Sequence, residues 1–210
     1  MSLLLSAVLG YLLGAVPFGL IIGRLTKGID LREHGSHRTG ATNALRTLGT
    51  GAAISVFVLD VTKGVAAVVL ARLLFASDPL VEWAAALAGL AAVVGHNWSA
   101  FIGFTGGRGV ATSAGALGAM SIWTIPILAP IVALVIWRSR FVSLGSIVGA
   151  LGAPIITALL ASLGAATAPA IGYALASGLL VTAAHADNIG RLRAGTERKI
   201  GQKEAVSSSG

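Results

Sequence analysis

Hydrophobic residues gather in long, nearly uninterrupted runs near positions 1–23, 51–75, 80–96, 110–137, 143–163 and 168–186, with the polar residues confined to the stretches between. A helix needs about 20 apolar residues to cross a bilayer, so these runs read as transmembrane helices joined by short loops. The fourth run has the wrong length. As one helix it would reach roughly 42 Å, against a hydrocarbon core of about 30 Å.

Charge placement decides how that run divides, because cytoplasmic loops collect Lys and Arg. A single crossing puts Arg138 and Arg140 outside, together with Arg191, Arg193, Arg198 and Lys199. Two crossings with a tight outer turn near Ser121–Thr124 put Arg24 to Arg46, Arg108, Arg138, Arg140 and the C-terminal basic residues on one side. Asp78, Glu82 and the uncharged LGAATAP connection then fall on the other. Trp123 sits at an interface, and Pro126 and Pro130 follow the turn instead of kinking an overlong helix. The N-terminal run has no basic residue ahead of it and is followed by Arg24, so it reads as an uncleaved span with its N-terminus outside. The expected architecture is an all-α membrane protein: one bundle of seven transmembrane helices, N-terminus outside and C-terminus cytoplasmic, with short re-entrant or interfacial segments on the cytoplasmic face.

Composition agrees, since 55% hydrophobic and 11% charged residues with a mean hydropathy of +0.87 do not describe a soluble domain. The length leaves room for a single transmembrane domain over 1–200 and a short polar tail over 201–210. A net charge of +7 would suggest nucleic acid in a soluble chain, but here topology and anionic ligands explain it and no nucleic-acid partner is expected. The chain contains no cysteine, which excludes disulfides, thiolate metal sites and a cysteine nucleophile. The four histidines have no metal-pair spacing, and neither a metal nor a cofactor is expected.

This topology brings three polar segments together on the cytoplasmic face. The first, Leu31–Gly49, offers Ser36, Thr42 and Asn43 as neutral hydrogen-bonding groups and Arg38 and Arg46 as cations, and can bind an oxyanion without a metal. The second, within Gly95–Thr112, surrounds Arg108 with Gly103, Gly106, Gly107 and Gly109, so that backbone N–H groups can approach a phosphate while a guanidinium neutralises it. It lacks the GK[ST] ending of a nucleoside-triphosphate loop. His96 precedes it, either as part of the site or as a satisfied helix-end histidine. The third, Ala184–Gly201, places His185, Asn188 and Arg191 at i, i+3 and i+6, roughly one side of a helix. Asp60 and Lys63 lie at i, i+3 inside the second span and read as a mutually neutralised pair. Ser143 and Ser146 either meet a ligand or cap the sixth span.

Three motifs in order over nearly the whole chain resemble the bacterial integral-membrane glycerol-3-phosphate acyltransferases that use acyl phosphate. Ser36, Gly40 to Asn43 and Arg46 match a first motif like S-G-N-x-G-A-T-N followed by arginine. Gly95, His96, Phe104, Gly106, Gly107 and Gly109 to Thr112 match G-H followed downstream by F-x-G-G-K-G-V-A-T. His185, Asn188, Ile189, Arg191, Leu192, Gly195 and Glu197 match H-x-x-N-I-x-R-L-x-x-G-x-E. The chain departs at His37 and Arg38, where the first motif has glycine and asparagine, at Ser99 in place of proline, and at Arg108 in place of lysine.

The resemblance implies transfer of a fatty acyl group from acyl phosphate to the 1-hydroxyl of glycerol 3-phosphate, giving 1-acylglycerol 3-phosphate and phosphate in phospholipid synthesis. It implies a multi-pass protein of the bacterial plasma membrane with its site facing the cytoplasm. Ser36, Arg46 and Arg108, with the Gly106–Gly107 turn, are assigned to the donor phosphate, with Thr42, Asn43 and His96 nearby. Ser143, His185, Asn188 and Arg191 are assigned to glycerol phosphate, and Glu197 to holding the third segment. His185, His96 and the donor's own phosphate remain alternative proton acceptors. Two alternatives stand beside this reading: a paralogue of the same fold with another acceptor or no activity, and a transporter for a small organic phosphate.

Overall fold

The computed structural model describes residues 1–202, so residues 203–210 of the expected tail lie outside the described residues. The described residues form α-helices and short turns: α1 (Ser2–Ala15), α2 (Phe18–Lys27), α3 (Ala41–Thr47), α4 (Thr50–Leu74), α5 (Val81–Asn97), α6 (Val110–Met120), α7 (Thr124–Ser139), α8 (Val142–Ser162), α9 (Ala168–Ala184) and α10 (Ala186–Arg193).

Ser2–Lys27, α4 and α8 are long and apolar enough to cross a membrane, and α9 with α10 would be a fourth crossing if that bent pair counts as one. The seventeen-residue α5 and the apolar α6 and α7 are shorter. Every hydrophobic run in the sequence therefore has a helix, and the overlong fourth run is split in two.

The breaks have local causes. Pro17 has no N–H and restricts Val16 to extended backbone, which separates α1 from α2. The freed carbonyls are taken up from elsewhere: the Ser99 hydroxyl donates to Ala15, and Lys63 Nζ donates to Val16 at 3.0 Å. The fourth run breaks at Ser121, whose hydroxyl pairs with that of Thr124 at 2.8 Å. Pro126 then falls in the first turn of α7, where its missing N–H has no helical partner to lose. His185 ends α9, and α10 leaves at 58°. His185, Asn188 and Arg191 thus do not share one continuous helix, as their spacing suggested; the first sits at the corner and the other two lie beyond it.

Small residues draw the helices together. A Cβ at Gly10 or Gly14 of α1 would overlap the backbone of Ala88 or Ala92 in α5, and one at Gly64 of α4 would overlap the Thr112 carbonyl of α6. The buried core is correspondingly rich in alanine, including Ala67, Ala71, Ala85, Ala88, Ala116 and Ala174 around Val68, Leu117 and Tyr173. Large apolar side chains such as Leu4, Phe57, Leu73, Leu134, Trp137 and Leu159 point outward instead. Small inside and large outside is the arrangement expected where lipid tails solvate the exterior and close backbone packing holds the interior.

Arg72 and Glu82 pair at 2.7 Å near the C-terminal end of α4. At about 1.5 Å per residue, the length of α4 puts that pair roughly 33 Å from the first polar segment. Its charges are neutralised at the end of the bundle away from the basic segments.

Candidate active site

The first segment is a loop wound around one side chain. Asn43, 2% exposed on α3, accepts the Ser36 N–H at 2.9 Å through Oδ1. Its Nδ2 lies within hydrogen-bonding distance of the carbonyls of Leu31, His34 and Arg38. Asn43 therefore shapes the loop that presents Ser36 and Arg38. Thr42 is half-buried on the first turn of α3, and Arg46 lies exposed near its end. Asp30 holds Arg32 at 2.6 Å, which pulls the Asp30 carboxyl down to about 2. The same guanidinium donates to the Ile102 carbonyl at 3.1 Å, tying the first segment to the second.

The glycine turn lies hard against the end of α5. A Cβ at Gly106 would overlap the His96 carbonyl oxygen, and one at Gly107 would overlap the His96 imidazole. The Gly107 N–H donates to that same carbonyl at 3.0 Å. Gly109 closes the turn at φ 78°, in the left-handed region that glycine enters without a Cβ penalty. His96 is itself 6% exposed, and its Nδ1 lies 3.4 Å from Asp60 Oδ1. Lys63 Nζ pairs with the same carboxylate oxygen at 2.8 Å. The expected Asp60 and Lys63 pair thus has a third member, and His96 buttresses the glycine turn.

Arg108 projects from this turn, half-buried, and its Nε has no hydrogen-bond partner. Burial lowers its pKa to about 10, with a further push from the neighbouring charges of Arg38 and Arg191. It stays protonated at neutral pH, and the crowding of cations favours an anion among them.

In the third segment the Glu197 carboxylate gathers three of the predicted residues. The hydroxyl of Ser143, on the first turn of α8, donates to it at 2.8 Å, Asn188 Nδ2 at 2.7 Å and Arg191 Nε at 2.7 Å. Burial alone would push this carboxyl up, but the bonds from Ser143, Asn188 and Arg191 outweigh it and hold it below the usual carboxylate range. Ser143 is thus joined to the third segment, whereas the Ser146 hydroxyl bonds back to Val142 at 3.0 Å within its own helix. Asn188 Oδ1 is left unpaired. His185, 3% exposed, has Nδ1 at 2.8 Å from the Val181 carbonyl. A carbonyl only accepts, so Nδ1 carries the proton and Nε2 of the neutral ring presents a lone pair.

A cavity of about 190 Å³ lies between the segments, lined by Arg38 of the first, Asn97, Trp98 and Gly107 around the second, and Ala183, Ala184, Ala186 and Asp187 of the third. Arg38 reaches Asp187 at 3.7 Å across the first and third segments. Of the residues assigned to the site only Gly107 lines it; the others, Arg46, Arg108, His185 and Arg191 among them, lie outside its lining. Among the described residues, no group of three His, Asp or Glu side chains is placed to hold a metal.

Residues 4–195 match the protein family described as Glycerol-3-phosphate acyltransferase. The chain belongs to that family. It is 45% identical over 204 residues to the glycerol-3-phosphate acyltransferase of Synechococcus sp. (strain CC9902), covering 97% of this chain and 98% of that one. Among solved structures it resembles PlsY (YgiH), described as an integral membrane glycerol 3-phosphate acyltransferase. The glycerol 3-phosphate form superposes with a TM-score of 0.84 at 36% identity, with 96% of each chain covered. The lysophosphatidic acid form gives 0.82 at 35%, again with 96% of each chain covered. The chain is accordingly a multi-pass integral membrane protein and an acyltransferase.

Where the acyltransferase motif carries glycine, His37 adopts φ 56°, a backbone conformation that glycine takes freely and histidine takes at a cost. Its ring Nδ1 bonds the Arg32 carbonyl at 2.8 Å, a local compensation. The sequence did not single out Asn97 and Asp187 as cavity residues, and it offered Arg38 as an oxyanion-binding cation of the first segment without a partner. Asn97 carried one signal, a polar residue at the end of an apolar helix just before the glycine turn.

Proposed function

We propose that this protein transfers a fatty acyl group from acyl phosphate to the 1-hydroxyl of glycerol 3-phosphate at the cytoplasmic face of a bacterial plasma membrane. In this reading seven helices cross, with the N-terminus outside and the C-terminus inside, and residues 1–200 form one domain. The observation that carries it is the convergence of the three polar segments around one cavity, with Arg38 in its wall and close enough, like Arg191, to act on the charge of Arg108, and no covalent nucleophile required. The transfer reaction needs charge stabilisation and alignment above all, because acyl phosphate is already an activated mixed anhydride.

The donor phosphate is held by Arg108 where the Gly106–Gly107 turn lets it approach the backbone closely, with Ser36 and Arg46 completing its surroundings and Thr42 and Asn43 keeping their loop in shape. The acceptor's phosphate is held by Asn188 and Arg191, oriented through Glu197 and Ser143. The hydroxyl oxygen forms a bond to the acyl carbon as the bond from that carbon to the phosphate oxygen breaks. Phosphate leaves with the electron pair, and the hydroxyl proton passes to His185 Nε2 or to the departing phosphate. His96 acts behind the glycine turn and holds it in place.

The test is a direct assay of the purified protein with acyl phosphate and glycerol 3-phosphate, following phosphate release and the lipid product. Release that depends on glycerol 3-phosphate and is matched by lysophosphatidic acid is expected. Release that does not depend on the acceptor, or none at all, overturns the reading.

A further inference from the structure

The cavity contains two polar groups that the roles above leave unused. Arg38 stands where the family's first motif has asparagine, and it pairs with Asp187 at 3.7 Å with 38% and 64% of the two side chains exposed. A pair that open and that long is weakly held and readily exchanged. Asn97 differs in kind. It is 2% exposed and lines the same cavity, yet neither Oδ1 nor Nδ2 has a hydrogen-bond partner. Buried amides are nearly always satisfied, so an unpaired one just behind the cavity wall, against Gly109, is a donor that a small shift of that wall turns toward what enters.

The surroundings define the chemistry of what enters. Arg38 and the backbone at Gly107 flank Asn97, and Arg108 and Arg191 add positive charge nearby. A guanidinium binds a phosphate through two parallel N–H bonds, which are shorter and stronger than a stretched contact to one exposed carboxylate.

We propose that Arg38 and Asn97 form an additional phosphate-recognising subsite in this chain, in which the Arg38 guanidinium exchanges Asp187 for a substrate phosphate and the Asn97 amide donates to the same group. This rests on the reading that the cavity binds phosphorylated substrates. Asp187 is then a competitor within the site, occupying Arg38 until the anion arrives. Both substrates carry a phosphate, and Arg38 serves whichever one reaches between Gly107 and Asp187.

The experiment compares the full-length wild type with Arg38→Asn, Asn97→Leu, Asp187→Asn and the Arg38→Asn/Asp187→Asn double variant. Initial rates are measured with each substrate varied in turn, and inorganic phosphate and glycerol 3-phosphate are titrated calorimetrically without turnover. Arg38→Asn is expected to raise the KM of one substrate about 10-fold with kcat within about twofold, and Asn97→Leu to raise the same KM. Asp187→Asn is expected to lower that KM about threefold, and to do so only while Arg38 is present. A change confined to glycerol 3-phosphate, with matching weaker calorimetric binding, assigns the subsite to the acceptor; a change confined to acyl phosphate assigns it to the donor. Either one supports the subsite. Unchanged KM values and unchanged phosphate binding in Arg38→Asn overturn it, as does an Asp187→Asn effect of equal size with and without Arg38. A wild type that binds phosphate through Arg38 but transfers no acyl group overturns the proposed reaction and leaves the subsite standing.

Discussion

Ser143 and Glu197 are 54 positions apart, yet the serine hydroxyl donates to the carboxylate at 2.8 Å, closing the start of α8 onto the segment that follows α10. Through Asn188 and Arg191 the same carboxylate fixes two further side chains, so its loss disorganises a whole face of the site at once. Glu197→Gln keeps the shape but turns an amide NH₂ toward donors. We expect kcat/KM for glycerol 3-phosphate to fall by about 10- to 100-fold, with Ser143→Ala costing less because one of three bonds goes. Steady-state kinetics of both variants check this, and a Ser143→Ala loss equal to that of Glu197→Gln would contradict it.

Gly106 and Gly107 press on His96 so closely that no side chain fits. Alanine at either position should reduce activity by at least about 100-fold while the protein still inserts, because the phosphate turn must lift off α5. Gly190 on α10 has open space around it, and Gly190→Ala should leave the rate near that of the wild type. Equal losses at all three would mean that glycine content matters and close approach does not.

Arg46→Ala and Arg108→Ala should each cost about 2–3 kcal/mol of transition-state stabilisation, a loss of roughly 30- to 150-fold. Arg138, exposed near the end of α7, serves as the comparison, and Arg138→Ala should cost far less. Comparable losses at all three would point to net charge rather than to a phosphate site.

Much of this organisation can be read from the chain because it is local. The break at Ser121 follows from a run too long for one crossing, and the pairing of Asp60 with Lys63 follows from their spacing on a helix. What stayed hidden depends on which helix faces pack. His96 joins Asp60 only because α5 lies beside α4, and Arg38 meets Asp187 only because two distant loops converge. The corner at His185 was also missed, since an uninterrupted polar stripe gives no hint of a 58° bend.

The hydrogen bond from Arg32 lowers the Asp30 pKa from 3.8 to about 2, so its folded-state value lies below its unfolded one. The resulting stability is present in full above about pH 4 and is lost as the pH falls through about 2. Allowing for partial exposure we expect about 1 kcal/mol, or a melting temperature about 2–4 °C lower in Asp30→Asn at neutral pH. Thermal melts of wild type and variant should converge as the pH approaches 2, and a gap that widens on acidification would contradict the assignment.

Ile122, between α6 and α7, is 72% exposed and should face the outside. In this cysteine-free chain a single Ile122→Cys should react with an impermeant thiol reagent in intact cells. Labelling from the cytoplasmic side alone would sink the seven-span arrangement.

The Asp60 and Lys63 pair also bears on how the protein is made. Both charges belong to α4, with 2% and 3% of their side chains exposed, so each carries its counter-ion on its own helix. Their later partners, His96 and the Val16 carbonyl, come from other segments. During biosynthesis the middle of α4 can therefore pass from the translocon into lipid with its two charges already paired, leaving Arg72 at its end to meet Glu82 of the next helix. Moving either charge to another helix would keep the finished contact but make insertion of the two segments depend on each other.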